Sequence, residues 1–367
     1  MSKRLNVGVI GCGRVAQAQH LRVLAALPSV KLVALADAHE ESLNKAGSRF
    51  AAGATKYSDY AELLGQPDVQ AVVICLPTAL HADAAIASIK AGKAVYLEKP
   101  IGVDVTEAGR VMQAYSDAEV PAQLGFNYRF HPAYLALRNE LRAGRIGEIT
   151  AATSMFCSPP RELQGWKSSR ATGGGVLLDL FVHHADLATF LLDEPITSVF
   201  ATSRSVRTEA DTASITMTAA SGTTIQTTVS AVAAQSDEFQ LTGDKGLLRA
   251  GRFGRSQPQY APIKRSFATK DRIASALHEV AALPGRVMQQ LTPKPEPSYH
   301  AALSSFVDAV LKEQTPQPGL EAGYRAAVVV EAAEESARTG KVVLISDLPD
   351  QHVSLSADES AAQEVGA

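Results

Sequence analysis

Residues Val7-Gly8-Val9-Ile10 run directly into Gly11-Cys12-Gly13-Arg14-Val15-Ala16, and the segment from Val15 to Leu27 has helical patterning. A short apolar strand, a glycine turn and a helix, in that order, restrict the opening of the chain to a mononucleotide-binding βαβ unit. In this G-x-G-x-x-A arrangement Gly11 permits the tight turn and Gly13 lets the backbone approach a pyrophosphate. Ala16 keeps the helix close to the strand. Arg14 and Val15 open the helix, whose unpaired N–H groups and positive dipole end face the phosphates. Asp37 closes the next strand, Lys31 to Asp37, where a carboxylate accepts hydrogen bonds from ribose hydroxyls and repels a 2′-phosphate. The cofactor read from these residues is therefore NAD, with NADP disfavoured. His39, a basic neighbour, weakens that preference slightly.

Short apolar strands continue to alternate with helices: Ala71 to Leu76, Ala94 to Glu98, and helices from Ser58 to Leu64, Ala82 to Ala91 and Val105 to Ala118. That alternation predicts an α/β, doubly wound parallel Rossmann sheet over residues 1–128. Beyond it the period changes. A helix over Ala133 to Ala143 and a strand from Gly147 to about Phe156 lead to a helix from Leu177 to Leu192. Asp211 to Thr218, Ser221-Gly222 and Thr223 to Ala231 then form a hairpin signal, continued by Phe239 to Thr242 and Gly246 to Arg249. Successive strands without helices predict an α+β domain with an open antiparallel sheet over 129–346. Helices over Ser298 to Lys312 and Leu320 to Thr339 are expected to pack back toward the first domain. A helix near Asp271 to Leu283 sits in the weakly patterned stretch Arg252 to Pro297, and residues 347–367 read as a mobile acidic tail.

The bulk numbers narrow the partners. The chain has 367 residues, 46% of them hydrophobic, so it can bury two cores. A formal charge of -3 provides no basic field for nucleic acid. No uninterrupted apolar stretch reaches the length of a membrane span, and the start, Met-Ser-Lys-Arg, has no export-signal core. Three cysteines, Cys12, Cys75 and Cys157, form no pair or ligand cluster, in keeping with a reducing, cytoplasmic location. His183, His184 and Asp186 lack the spacing of a zinc site, so no metal is expected.

Two short motifs carry the chemistry. Lys99, in Glu98-Lys99-Pro100, directly follows a strand, and ligands of an open parallel sheet lie beyond the carboxyl ends of its strands. Alone, such a lysine is more often a solvated charge. Asp179 and His183 are four residues apart on a helix entered through Gly173-Gly174-Gly175, so they share a face. A carboxylate one turn from an imidazole suits a general base near neutral pH, although taken alone a plain helix salt bridge is the better explanation of the spacing.

The order and wording of these motifs resemble the Gfo/Idh/MocA oxidoreductases. The segments that carry the likeness are the glycine turn, Cys75-Leu76-Pro77-Thr78 with His81, Gly92 to Pro100, Gly125-Phe126-Asn127-Tyr128-Arg129-Phe130, and Gly173 to Asp179 with His183. The resemblance implies a nicotinamide enzyme oxidising or reducing a carbinol of a sugar, cyclitol or related small molecule. It implies Lys99, Asp179 and His183 as catalytic residues. Leu76, Pro77, His81, Glu98 and Asn127 would join Gly11, Gly13, Arg14, Val15, Asp37 and Lys99 around the cofactor. Tyr128, Arg129, Trp166, Arg170 and His184 would border the substrate, as would Lys167 beside Trp166. It also implies a homodimer or homotetramer assembled through the open sheet, with the Thr-rich positions from Thr216 to Thr228 serving that face.

The chain departs from the family wording at Leu76-Pro77-Thr78, at Phe181 and at His184, which bears on substrate contacts more than on the chemistry. Two other readings stay open: a redox-neutral enzyme that retains its NAD, of glycosidase, epimerase or lyase type, and a non-enzymatic NAD-binding regulator.

Overall fold

The computed structural model describes residues 4–160, 165–254, 256–263 and 296–348. The apolar runs of the first third become strands β1 (Leu5–Ile10), β2 (Val30–Ala36), β3 (Thr55–Tyr57), β4 (Ala71–Ile74), β5 (Ala94–Leu97) and β6 (Ala122–Leu124). They pair in parallel in the order β3-β2-β1-β4-β5-β6. Every residue of β4 and β5 is buried, as a parallel sheet covered on both faces requires. The order reverses between β1 and β4, so the crevice beyond their carboxyl ends is the topological switch point.

Helices α1 (Leu21–Ala26), α2 (Glu40–Phe50), α3 (Tyr60–Leu64), α4 (His81–Lys90) and α5 (Val105–Ser116) complete this layer. A wide π-type turn, Ala16–His20, leads into α1. The sequence pattern did not single out α2, because only Leu43, Ala46 and Gly47 of its residues are buried. Its start is set by polar chemistry instead: His39 caps Ser42 N–H, and Glu40 and Glu41 lie in the positive first turn.

After α6 (Pro132–Arg142) the chain builds a second sheet from β7 (Ile149–Cys157), β8 (Ile196–Arg204), β9 (Thr212–Ala219), β10 (Thr224–Ser230), β11 (Ser236–Gly243), β12 (Gly246–Gly251), β13 (Gln259–Pro262) and β14 (Val343–Leu344). Their order is β13-β12-β11-β7-β10-β9-β8-β14. The expected hairpin is β9–β10, antiparallel. The expected open antiparallel sheet is present with one exception to its sense, because β7 and β10 pair in parallel. Tight turns can join only antiparallel neighbours, and β7 is separated from β10 by a helix and two strands, which frees it to enter the middle of the sheet in the other sense.

A π-type turn, Leu177–Phe181, continues into α7 (Val182–Leu192). The stretch Arg170–Leu192 is, among the described residues, the one long and apolar enough to cross a membrane, and it lies mostly buried within the fold. It went unseen as an uninterrupted run because Asp179, His183, His184 and Asp186 punctuate it. Helix Pro297–Leu311 returns to the first sheet, placing Ala302, Leu303, Phe306 and Val307 in one cluster with Leu5, Val7 and Val9. Helix Leu320–Thr339 joins the second sheet, where Ser336 Oγ accepts from Ala201 N–H at 2.8 Å. The expected helix near Asp271 to Leu283 and the tail beyond residue 348 lie outside the described residues.

Candidate active site

The glycine turn sits where β1 ends. Gly11 has φ +91°, and a Cβ there would lie 2.6 Å from the carbonyl oxygen of Cys75, so no other residue fits without moving backbone. A Cβ on Gly13 would meet nothing within 4 Å, which leaves the turn open to a ligand. Asp37, just past β2, faces the turn: Oδ2 accepts from Cys12 N–H at 2.6 Å and Oδ1 from His39 N–H at 2.8 Å. Each carboxylate oxygen keeps a further lone pair for a ribose hydroxyl. The residues present thus fit a dinucleotide. Beside Gly13 opens a cleft of about 560 Å³ between the turn and α2, lined by Arg14, Arg22, Lys45 and Arg49 among others. Val15 is exposed on the same turn.

The loops after β4 and β5 are tied by His81. Its Nδ1 lies 2.6 Å from the Pro100 carbonyl and its Nε2 2.8 Å from that of Leu76, while burial lowers its pKa. Pro77 precedes the short turn Thr78–Leu80 that leads into α4. Glu98 is buried, 2.7 Å from His20 Nε2, and its Oε2 accepts from Lys99 N–H at 3.1 Å. Burial pushes the Glu98 pKa up, but His20 and Lys99 outweigh it and hold the carboxyl below its ordinary value.

Lys99 reaches from the end of β5 to the helix entered at Leu177. Its Nζ donates to the Asp179 carbonyl at 2.7 Å and lies 3.4 Å from Asp179 Oδ1. Lys167 Nζ approaches the same Oδ1 at 2.8 Å. Burial lowers the Lys99 pKa, the Asp179 charge opposes that, and the Lys167 charge adds to it. Burial likewise drives His183 well below its ordinary value, reinforced by Lys99 and Arg252 and opposed by Asp179. A buried, neutral imidazole results. Its Nδ1 has no hydrogen-bond partner among the described residues, and the Tyr128 ring stacks on it at 4.3 Å and 16°.

The structure therefore joins Lys99 to Asp179, with His183 within electrostatic reach of both and Tyr128 stacked on His183. Other candidate residues have their polar groups committed internally. Arg129 forms a bidentate pair with Asp186 at 2.7–3.1 Å. Arg170 holds Glu334 and donates to the Val103 carbonyl at 2.8 Å. Asn127 Nδ2 donates to Ser298 Oγ at 2.8 Å, joining the first sheet to the returning helix. His184 faces Asp237 Oδ1 at 3.3 Å. Trp166 places its ring 5.1 Å from Lys167 Nζ.

Behind the site lies a charged group that sequence reasoning missed. Asp237, fully buried, binds Arg252 Nε at 2.7 Å and the Tyr134 hydroxyl, and Arg252 lies over the Tyr128 ring at 4.7 Å. A signal was available: alternation along β11 puts Asp237 on the same inward face as Phe239 and Leu241. An acidic residue at an inward position marks a buried polar cluster. Among the described residues no group of three or more His, Cys, Asp or Glu is placed to hold a metal ion.

Fold and site together define a nicotinamide-type oxidoreductase with a Rossmann domain. The sequence matches the model of an oxidoreductase family with an NAD-binding Rossmann fold over residues 5–126 and the GFO/IDH/MocA C-terminal domain over 134–249. The chain belongs to the Gfo/Idh/MocA family. It is similar to inositol 2-dehydrogenase of Rhizobium meliloti (strain 1021), 28% identical over 349 residues, covering 92% of this chain and 98% of that protein. It is also similar to the myo-inositol 2-dehydrogenase of Thermotoga maritima, 32% identical over 54% of this chain and 55% of that one. Among solved structures, a putative myo-inositol dehydrogenase from Sinorhizobium meliloti 1021 superposes with TM-score 0.75 at 25% identity, covering 93% of this chain and 99% of that one.

Proposed function

We propose that the protein is an NAD-dependent dehydrogenase interconverting a secondary alcohol and a ketone on a sugar, cyclitol or related polyol. The observation that carries the reading is the contact of Lys99 with Asp179, four residues before a buried, neutral His183 that feels both charges, beyond the carboxyl end of β5 and beside an open dinucleotide turn. Bound NAD supplies the hydride acceptor in the oxidative direction.

The chain's own residues handle the proton and the charge. His183, uncharged at neutral pH, takes the hydroxyl proton through a ring nitrogen. The ammonium of Lys99 has three N–H bonds, of which one donates to the Asp179 carbonyl at 2.7 Å and a second, more weakly, to Asp179 Oδ1 at 3.4 Å. Another can donate to the substrate oxygen and stabilise its developing negative charge. Tyr128, stacked on the imidazole, fixes the ring plane. Burial of the pair excludes water and strengthens both effects. Asp37 would hold the adenosine ribose and Gly13 the pyrophosphate.

The cationic cleft beside Gly13 favours one variant of this reading, in which Arg14 or Lys45 accommodates a 2′-phosphate and NADP also serves. Asp37 opposes it by like charge, so the reading keeps NAD as the better cofactor. Comparing the dissociation constants of the two cofactors by protein-fluorescence titration decides between them. Assembly as a homodimer or homotetramer through the outward face of the second sheet, which carries Ser214, Thr216, Gln226 and Thr228, belongs to the same reading.

The test is substitution. His183→Ala and Lys99→Ala should each lower kcat by about 10²–10⁴-fold, the usual worth of a placed proton-transfer group, while NAD affinity changes little. Full turnover in either variant contradicts the assignment.

A further inference from the structure

Two ammonium groups share one carboxylate at this site, and they do not share it equally. Lys167 Nζ lies 2.8 Å from Asp179 Oδ1, whereas Lys99 Nζ lies 3.4 Å from it and makes its short contact, 2.7 Å, with the backbone carbonyl of the same residue. Both lysine side chains are mostly buried, 19% and 14% exposed, so the arrangement is weakly screened. The loop that carries Lys167 is built rather than draped. A Cβ on Gly174 would lie 2.3 Å from the Lys167 carbonyl oxygen, Gly174 N–H donates to Ser169 at 2.9 Å, and Thr172 Oγ1 donates to the Trp166 carbonyl at 2.6 Å. Arg170 then bolts the loop to Glu334 and to the Val103 carbonyl.

We propose that Lys167 is a positioning residue for the redox step: by taking the close contact with Asp179 Oδ1, it keeps that carboxylate from closing on Lys99 and leaves a Lys99 N–H free for the substrate oxygen. The inference deepens the dehydrogenase reading and rests on it for the word redox. The geometry itself is independent of the substrate.

The groups that face Lys99 decide the direction of the effect. They are Asp179 and His183 on the helix from Leu177, Lys167 on the loop before it, Glu98 beside it in the chain, and His81 at the start of α4. Of these, Lys167 is the cation that lowers the basicity of Lys99, and Asp179 and Glu98 raise it. Removing the Lys167 charge takes away a repulsion and also releases the carboxylate toward Lys99. Both changes make Lys99 harder to deprotonate. An ammonium clasped by its own carboxylate is then a poorer donor to the substrate.

The experiment compares the wild type with Lys167→Met, Lys167→Gln and Lys167→Arg. The ionisation of Lys99 is followed by competitive acylation with acetic anhydride across pH, read by peptide mass spectrometry, and kcat is measured over the same range. In Lys167→Met and Lys167→Gln the Lys99 midpoint, and with it the alkaline limb of kcat, should move up by about one pH unit. At neutral pH kcat should fall roughly tenfold, the worth of one hydrogen bond to a charged group, with the KM for NAD unchanged. Lys167→Arg, which keeps the cation, should leave the midpoint in place. A midpoint that stays put in both neutral variants overturns the proposal, whatever happens to activity. A midpoint that moves in a protein that oxidises no polyol or sugar refutes the dehydrogenase reading and leaves the coupling of the two lysines standing.

Discussion

At the scale of single residues, the electrostatics of His183 makes a prediction that differs from that of an ordinary histidine. Burial and the Lys99 and Arg252 cations depress its pKa, so the base form persists well below the free imidazole value of about 6.5. The acid limb of kcat for alcohol oxidation should therefore fall below pH 6.5. A limb above pH 7 in a steady-state pH profile would contradict the neutral-base role. Position after a strand and helical spacing single out Lys99, Asp179 and His183 in the sequence, but only the family resemblance sets them above a solvated lysine and a plain helix salt bridge. The commitments of Arg129 to Asp186 and of Arg170 to Glu334 were not legible, since they join residues 57 and 164 positions apart. Nothing local in a chain signals which distant carboxylate an arginine will meet.

At the scale of elements, two positions carry more constraint than their residue types suggest. Gly11 combines a left-handed φ with a backbone carbonyl where its Cβ would be. Gly11→Ala should cost about 2 kcal/mol or more, seen as a lower denaturant midpoint together with loss of NAD binding. Unchanged stability would show that the turn relaxes easily. The second position is Arg252, whose guanidinium compensates the fully buried Asp237. Arg252→Leu leaves that carboxylate uncompensated and should cost about 3–5 kcal/mol, whereas loss of an exposed ion pair such as Arg110–Asp83 should cost under about 1 kcal/mol. Equal costs in urea unfolding would remove Asp237 from its place as a buried hub. Helices with a wide apolar stripe and the Thr-rich hairpin were readable from period alone. The polar helix α2 and the parallel pairing of β7 with β10 were not, because cap chemistry and chain return decide them rather than apolar spacing.

At the scale of the whole molecule, the buried histidines set the acid limit of stability. His81, His131 and His183 all have pKa values lowered by burial. As the pH falls through about 6.5 the unfolded chain takes up these protons before the folded one does, so stability present above that pH is lost below it. Glu98 and Asp237, held below their ordinary values, add a second loss at still lower pH. The Tm should decline from pH 7 to pH 5, and a Tm constant over that interval would contradict the burial of neutral histidines. The plan of a Rossmann sheet followed by a mostly antiparallel one was readable from the change in hydrophobic period, and helix Pro297–Leu311 returns to the first sheet while helix Leu320–Thr339 joins the second. The identity of the substrate was not readable, because the stretches Ser158 to Arg170 and Arg252 to Pro297 carry no apolar period from which to read it.

The reaction proposed for this protein is net oxidation of a carbinol with NAD. It is tested most directly by the absorbance of the reduced nicotinamide band when the purified protein meets NAD and a panel of inositols, aldoses, amino sugars and nucleotide sugars. An increase with one substrate class, abolished by His183→Ala, is the predicted result. No increase with any of them, in a protein that still binds NAD and converts one of the sugars to another product, would contradict the claim and identify a redox-neutral enzyme instead.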